Sequence, residues 1–236
     1  MRIEIWSDVV CPFCYLGKRR LEKALAGFDG ADDVEIVWRS FLLDPSAPDE
    51  PVETVAESLG RKYGGGPEAG QRMVDQVEAA AAEEGMIWRH SQSLRVGTTT
   101  AHRLLHLAHA EGGAGVQDRL KESLLHAYFV EAVNVADHDL LRRLAVDAGL
   151  PVERVDAVLG SDEFSTEMWA DIDQAHAYGA SGVPFFVFDS KFAVSGAQPV
   201  ETFTAALERA RADAQPELVH VDGAAGDACG PDGCAI

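Results

Sequence analysis

The sequence has few cysteines, few basic residues and no long apolar run, and each scarcity excludes a class of protein. Only 4 cysteines occur among 236 residues, too few for a scaffold held together by disulfides. With 20 basic and 39 acidic residues, the net charge is −19. This charge repels phosphate backbones and anionic lipids, so binding to nucleic acid or to a membrane surface is not expected. The apolar runs are far shorter than the roughly 18 residues of a membrane span.

The start of the sequence also lacks the pattern of a secretory leader. The first residues, MRIEIWSDVVCPFC, show neither a basic segment followed by an apolar one nor a small-residue cleavage motif. We therefore expect a cytoplasmic protein, and structural disulfides are rare in that compartment. The content of 47% hydrophobic and 25% charged residues is typical of a globular chain that buries a large core.

The cysteines that are present form two close pairs at opposite ends of the sequence. Cys11 and Cys14 make a CxxC motif, and Cys229 and Cys234 make a Cx4C motif. In a reducing compartment, such spacing indicates redox chemistry or metal binding rather than structural cross-links.

The apolar periodicity predicts an α/β domain that is split in sequence by a helical insertion. Residues 1–43 predict a strand, the CxxC motif, a helix and a second strand. Residues 44–161 are helical in pattern almost throughout and form the inserted domain. Residues 162–214 predict a helix, a β-hairpin and a last helix that complete the α/β domain. The Gly-, Ala- and Asp-rich residues 215–236 are expected to form a flexible tail.

The CxxC motif stands where a strand pattern gives way to a helix pattern. Free backbone N–H groups and the positive end of a helix dipole stabilise a thiolate at Cys11, and Pro12 suits the first helical position. Because Cys14 follows one turn later, Cys11 is predicted to attack a disulfide and Cys14 to resolve the mixed disulfide. Half of a zinc site, or two inert buried thiols, are the alternatives. Asp8 either tunes the protonation of Cys11 or is only a turn residue at the strand end.

Five spaced motifs carry a resemblance to a known family. They are SDVVCPFCYLGKRRLE at 7–22, WRSFLLDP at 38–45, TTTAHRLLHLAHAEG at 98–112, HAYFVEAVNVAD at 126–137 and GASGVPFFVFDSKFAVSGAQP at 179–199. From Ile3 to about Leu207, the chain resembles the DsbA-like branch of the thioredoxin superfamily, and specifically the FrnE-like cytosolic dithiol oxidoreductases.

This resemblance implies a fold, an activity and a set of site residues. The fold is a thioredoxin fold, β-α-β followed by β-β-α, with a large all-helical insertion. The activity is that of a protein thiol–disulfide oxidoreductase or isomerase without cofactor or metal, in which Cys11 and Cys14 are catalytic. The implied partners are disulfide- or thiol-bearing proteins or small molecules, with glutathione as a further candidate. The implied substrate-binding residues are Pro12, Phe13, Val183, Pro184 and His102.

The resemblance also changes the expectation for the proline that opens the late strand. The Val183–Pro184 peptide bond would ordinarily be expected to be trans, because most X–Pro bonds are trans and proline is common at the start of a strand. The family implies instead that Pro184 is cis and faces the cysteines, so that the backbone of Val183 can pair with a substrate as an extra strand.

The sequence departs from the better-known periplasmic members at Phe13, where they carry histidine. The loss of a cationic neighbour predicts a less strongly oxidising disulfide, so oxidase, reductase and isomerase roles all stay open. A sister branch, the 2-hydroxychromene-2-carboxylate isomerases and kappa-class glutathione transferases, has serine at the first cysteine position. Cys11 together with Cys14 argues against that chemistry, and an isomerase or glutathione-dependent transferase acting on an aromatic or polyketide molecule is kept as the first alternative. A zinc-binding or redox-sensing interaction protein that uses all four cysteines is the second.

Several further residues have two interpretations at this point. Trp6, Phe41 and Phe185, together with Phe13, could line an apolar groove or belong to the core. Asp171 is expected on the solvated face of its helix. Cys229 and Cys234 are predicted to be an auxiliary shuttle dithiol, with an inert tail or an adventitious metal site as the alternatives.

Overall fold

The computed structural model describes residues 1–214 of the chain. The predicted tail, with Cys229 and Cys234, therefore lies outside the described residues. Within the described range, no helix combines the length and the apolar character needed to cross a membrane.

The described residues form one mixed sheet and eight α-helices. The strands are β1 (Arg2–Ser7), β2 (Glu35–Ser40), β3 (Phe185–Phe188) and β4 (Phe192–Ser195). The helices are α1 (Pro12–Ala26), α2 (Val55–Tyr63), α3 (Gly66–Glu83), α4 (Thr99–Phe129), α5 (His138–Asp147), α6 (Val152–Leu159), α7 (Ser165–Ala177) and α8 (Val200–Ala214).

The sheet joins the two ends of the described chain. Its order is β2-β1-β3-β4, with β1 parallel to β2 and with antiparallel pairing between β1 and β3 and between β3 and β4. The parallel pair is connected through α1, as the alternating and helical patterns of residues 1–43 predicted. Asp189 and Ser190 form the two-residue hairpin turn with positive φ angles of 47° and 56°. The predicted α/β fold with a large helical insertion is confirmed.

The helix that carries the CxxC motif lies between two hydrophobic cores. Leu21 and Ala24 of α1 pack into the core of the sheet, where Phe186 and Phe203 are fully buried. Tyr15, near the start of α1, packs into the core of the helical insertion. Both cores therefore fix the position and the tilt of this helix. The predicted domain boundaries after residues 43 and 161 stay predictions.

Local sequence signals explain the starts of two helices. Thr54 and Glu57 form a reciprocal capping box at the start of α2, and Asp137 caps α5 through a 2.8 Å hydrogen bond from the Leu140 N–H. Helix α4 is interrupted at Gly113 (φ 70°, ψ −173°), whose non-helical backbone separates two helical segments.

The expectation for Asp171 was wrong. Its side chain is buried because it accepts a hydrogen bond from the backbone N–H of Ser40 at 2.9 Å and forms an ion pair with Arg39 at 3.1 Å. The sequence of α7 alone contains no sign of these partners, since both lie on β2. Asp171 therefore ties α7 to the sheet instead of facing solvent.

Candidate active site

Both cysteines of the CxxC motif lie at the first turn of α1. Cys11 is the N-cap residue (φ −88°, ψ 114°), Pro12 takes the first helical position, and Cys14 follows within the first turn. The backbone N–H of Cys14 donates a 3.1 Å hydrogen bond to the carbonyl oxygen of Cys11. Both thiols are free and almost completely buried. This is the strand-to-helix placement that the sequence predicted.

The loop before β3 covers the first cysteine. The Val183–Pro184 peptide bond is cis, and the Cys11 thiol donates to the carbonyl oxygen of Val183 at an Sγ–O distance of 3.5 Å. Gly17 of α1 makes this approach possible, since a Cβ atom there would lie 3.1 Å from Cγ of Pro184 and 3.0 Å from Cζ of Phe186. Any larger residue at position 17 would push the loop away from the cysteines.

A buried carboxylate lies directly beneath the pair. Asp8 accepts a 2.8 Å hydrogen bond from the backbone N–H of Leu43, and its other oxygen lies 3.4 Å from Nε2 of His102. Burial alone would raise the pKa of Asp8, but the hydrogen bonds with His102 and with the Leu43 N–H lower it below its ordinary value. Asp8 is therefore ionised at neutral pH and is a structural part of the site, not an exposed turn residue.

A buried lysine from the helical insertion completes this group, and sequence reasoning missed it. Lys121 of α4 is fully buried, and its Nζ has no hydrogen-bond partner within residues 1–214. The ammonium lies 5.3 Å from the ring centre of Trp38. Burial lowers the pKa of Lys121 to about 8, against the opposing influence of Cys14, Asp8 and Cys11. The sequence did contain a signal for this residue, because Lys121 lies next to Leu120 and one turn before Leu124, and both leucines are buried.

The charge of the reduced pair is distributed differently from the sequence expectation. The hydrogen bond with Cys14, followed by burial, raises the pKa of Cys11 well above its usual value. Burial opposes ionisation of Cys14, but the hydrogen bond from Cys11 and the charge of Lys121 lower its pKa. The negative charge of the resting pair is therefore favoured on Cys14, because the cation and the hydroxyl of Ser7 act on that sulfur.

The contact of His102 with substrate stays a prediction. Its side chain is buried, and Nε2 lies 3.4 Å from Oδ1 of Asp8. Burial lowers the pKa of His102 despite the neighbouring carboxylate, so the imidazole is neutral. His102 therefore holds Asp8 in place. Of the aromatic residues with two interpretations, Trp6, Phe41 and Phe185 belong to the core, whereas the side chain of Phe13 is half-exposed.

An apolar cavity of about 460 Å³ opens beside the first cysteine. We call it the Cys11 cavity. The start of α1, with Cys11, Pro12 and Phe13, forms one wall, and Val183 of the loop before β3 forms another. Helices α2 and α3 close the far side. Cys14 is not part of the lining, so Cys11 is the sulfur that a bound molecule meets first.

His90 also lines this cavity, and the sequence analysis did not identify it. It lies in a short turn of 3-10 helix (His90–Gln92), is 3% exposed and packs against Phe129 with ring centres 4.9 Å apart. Burial lowers its pKa to about 4. Because histidines are common in all contexts and this one lies between polar neighbours, no spacing rule identifies it.

The lowered pKa of His90 predicts a loss of stability in acid. The unfolded chain binds the proton near pH 6.5, and the folded chain only near pH 4, so stability falls as the pH decreases through this window. The expected loss attributable to His90 is about 3 kcal/mol. The free-energy difference between His90→Phe and the unchanged protein, measured by urea unfolding, should therefore increase by this amount from pH 7 to pH 4. The same substitution at the exposed His138 is the control. A difference that is constant with pH would show that the His90 imidazole is protonated equally in both states.

Within residues 1–214, no three or more His, Cys, Asp and Glu side chains are arranged to hold a metal ion. The zinc alternative involves Cys229 and Cys234, which lie outside that range.

The fold and the cysteine pair at the start of α1 are those of the thioredoxin superfamily. Residues 2–208 match the family described as DSBA-like thioredoxin domain, and the chain belongs to this family. It is similar to the crystal structure of a probable DsbA oxidoreductase from Streptomyces coelicolor, with 44% identity, a TM-score of 0.84 and coverage of 100% of this chain and 99% of the other. The predicted membership of the DsbA-like family is confirmed, and the protein is an oxidoreductase of this family.

Two further relatives extend the comparison. The uncharacterized protein YwbO of Bacillus subtilis is 27% identical over 214 residues, which cover 88% of this chain and 96% of YwbO. The cytosolic disulfide reductase DsbM from Pseudomonas aeruginosa, in a structure with GSH, has a TM-score of 0.60 at 15% identity, with 89% of this chain and 98% of DsbM covered. At that identity the likeness concerns the fold. The narrower assignment to the FrnE-like group stays a prediction.

Proposed function

We propose that the protein is a cytoplasmic thiol–disulfide oxidoreductase in which Cys11 attacks the substrate and Cys14 resolves the mixed disulfide. One observation carries this proposal. The first cysteine of a buried dithiol lines a cavity opposite the carbonyl group of Val183, while the second lies deeper beside a buried cation.

The order of attack follows from access and not from the resting charge. When the pair is singly ionised, the thiol of Cys11 donates its proton to the thiolate of Cys14. Transfer of that proton along the hydrogen bond produces the Cys11 thiolate at the cavity wall. The ammonium of Lys121 stabilises the negative charge of the pair in this buried site. Cys11 is therefore the reactive sulfur even though Cys14 has the lower pKa.

The reaction is a pair of thiol–disulfide exchanges. The Cys11 thiolate bonds to one sulfur of a substrate disulfide, the substrate S–S bond breaks, and the departing thiolate takes the proton of Cys14. The Cys14 thiolate then attacks Sγ of Cys11 and releases the second substrate thiolate, which is protonated by water. Two electrons pass from the dithiol to the substrate, and the Cys11–Cys14 disulfide remains. The reverse sequence oxidises a dithiol substrate.

The residues around Cys11 define where a substrate would lie. Pro12, Phe13 and Val183 line the cavity, and Pro184 supports the loop from behind. A peptide substrate would extend along the backbone of Val183, and the exposed ring of Phe13 would cover its apolar side chain. Disulfide- or thiol-bearing proteins and small molecules are therefore the proposed partners.

The redox equilibrium of the pair against glutathione tests this function. We expect a single two-electron transition of Cys11 and Cys14, measured by alkylation and mass spectrometry after equilibration in glutathione buffers of graded ratio. We also expect the reduced protein to accelerate insulin reduction by dithiothreitol. A midpoint below the cytosolic poise would assign a reductase, and one above it an oxidase or isomerase. Absence of any transition, together with insulin reduction no faster than with alkylated protein, would contradict the proposal.

A further inference from the structure

Three polar side chains that the proposed exchange reactions do not use line the Cys11 cavity: Tyr63, Gln76 and His90. Tyr63 and Gln76 are exposed to solvent, whereas His90 is buried. His90 lies on the cavity wall with 3% of its surface exposed. Its Nδ1 atom is completely covered and has no hydrogen-bond partner within residues 1–214. Buried polar atoms without a partner are uncommon in folded proteins, and each calls for a specific explanation.

The surroundings of His90 keep its ring neutral and fixed. The imidazole contacts the rings of Phe129 and Tyr128, with centre distances of 4.9 and 5.8 Å, and the edge of Trp88 at 6.4 Å. These aromatic neighbours exclude water from the ring. Because Nδ1 is completely covered, Nε2 is the ring nitrogen that can meet a molecule in the cavity. In a neutral imidazole this atom either donates or accepts one hydrogen bond, depending on the tautomer, so it can bind an uncharged polar group.

The rest of the lining is suited to an uncharged, apolar molecule. No Lys, Arg, Asp or Glu lines the cavity, and its walls include Leu59, Met73 and Val77. The carboxylates of a molecule such as glutathione would find no opposite charge here, and the net charge of −19 would repel them further. The volume of 460 Å³ is about three times that of the ~150 Å³ apolar cavity known to bind benzene. It therefore accommodates a molecule of two aromatic rings.

We propose that the Cys11 cavity binds a small, uncharged aromatic disulfide and that His90 selects it through a hydrogen bond to a polar atom of the ring. This inference rests on the proposed function, because it assigns a substrate class to the same cysteine pair. One ring of the ligand lies between α2, α3 and the loop before β3, which places its sulfur at Cys11.

The chemistry at Cys11 is the exchange already described, applied to this substrate. The Cys11 thiolate bonds to the nearer sulfur, the aryl S–S bond breaks, and the first arylthiolate leaves with the proton of Cys14. Attack of Cys14 on Cys11 releases the second arylthiolate. One equivalent of the reduced protein consumes one equivalent of the disulfide, and dithiothreitol restores the dithiol for further turnovers.

Stopped-flow kinetics with two neutral disulfides of similar shape test the assignment. The para isomer of dithiodipyridine carries a ring nitrogen that can accept a hydrogen bond from His90, and diphenyl disulfide does not. We expect single-turnover rates to saturate with dithiodipyridine. The variant His90→Phe should raise the half-saturating concentration about 10-fold and leave the maximal rate unchanged. With diphenyl disulfide, both proteins should have the same half-saturating concentration. Partial rescue by His90→Asn would identify the hydrogen bond as the cause.

Further measurements separate the possible failures. Val77→Trp fills the cavity from α3 and should abolish saturation by either aromatic disulfide, while circular dichroism shows that the fold is retained. If insulin is reduced but His90→Phe does not change the half-saturating concentration, the inference is wrong and the proposed function stands. The same conclusion follows if oxidised glutathione saturates the pair at a lower concentration than dithiodipyridine. If no disulfide is reduced at all, the proposed function itself fails.

Discussion

Replacement of Cys11 by serine should lower the rate of disulfide reduction on the order of 1,000-fold or more. The reason is that a serine hydroxyl does not ionise at neutral pH and is a far weaker nucleophile than a thiolate. Insulin reduction and single-turnover reduction of dithiodipyridine both measure this loss. Because Cys11 is buried with a volume close to that of serine, circular dichroism and the unfolding midpoint should change little.

The matched variant Cys14→Ser should behave differently from Cys11→Ser. Cys11 remains able to attack, but no second thiol releases the product, so a mixed disulfide between Cys11 and the substrate should accumulate. Mass spectrometry of the non-reduced protein detects this adduct, and Cys11→Ser should form none. An adduct that forms at Cys14 in the Cys11→Ser protein, at the rate seen in its counterpart, would reverse the proposed roles.

This experiment is also needed in a protein that lacks the second cysteine pair. Both variants are therefore made with Cys229 and Cys234 present and again with both replaced by serine. If the predicted auxiliary dithiol operates, the tail thiols release part of the adduct that Cys14→Ser traps. Equal adduct in the two backgrounds would indicate that the tail pair does not take part in resolution.

Much of the fold could be predicted because its signals are local. The apolar patterns of residues 1–43 identified β1, α1 and β2, and those of residues 162–214 identified the late hairpin. The CxxC motif between strand and helix patterns placed the redox pair. Each of these features depends on residues within a few positions of one another, so a single sequence contains the information.

The remaining site residues depend on contacts between distant segments. Lys121 approaches the cysteines from a helix more than 100 positions away, and His90 reaches the cavity from a turn between α3 and α4. Gly17 is a glycine inside a helix, and only the position of the loop before β3 explains it. His102 lies near the site, as the resemblance implied, but its contact with Asp8 joins two segments 94 positions apart. The periodicity of a sequence assigns such residues to one face of their own element, but it does not identify the distant residues that they contact.

These distant contacts create a buried charge balance at the dithiol. Asp8 contributes one negative charge, the reduced pair contributes a second, and Lys121 is the buried cation whose charge acts on both. Asp8 raises the pKa of Cys11, whereas Lys121 lowers that of Cys14. Formation of the disulfide removes the thiolate and leaves Lys121 with Asp8 alone. The cation therefore stabilises the reduced form relative to the oxidised form.

The variant Lys121→Met should consequently make the dithiol easier to oxidise and slower to react. The loss of a nearby cation should raise the pKa of Cys14, which lowers the fraction of thiolate. Each unit of pKa corresponds to about 1.4 kcal/mol and to about 30 mV for a two-electron couple, so the midpoint potential should become more negative by tens of mV. The pH dependence of iodoacetamide alkylation and the glutathione equilibrium measure the two effects.

Stability separates this electrostatic role from a structural one. The folded pKa of Lys121, about 8, lies below the ordinary value of 10.5, so the unfolded chain holds this proton more tightly and the buried cation costs stability at pH 7. Methionine has a similar length and no charge, so Lys121→Met should raise the free energy of unfolding by about 1–3 kcal/mol at pH 7. The exposed Lys191, changed in the same way, should alter neither stability nor potential by a comparable amount. A destabilised Lys121→Met protein with an unchanged midpoint potential would show that Lys121 serves only packing, because a cation kept for the chemistry of the pair must lower the stability of the fold that buries it.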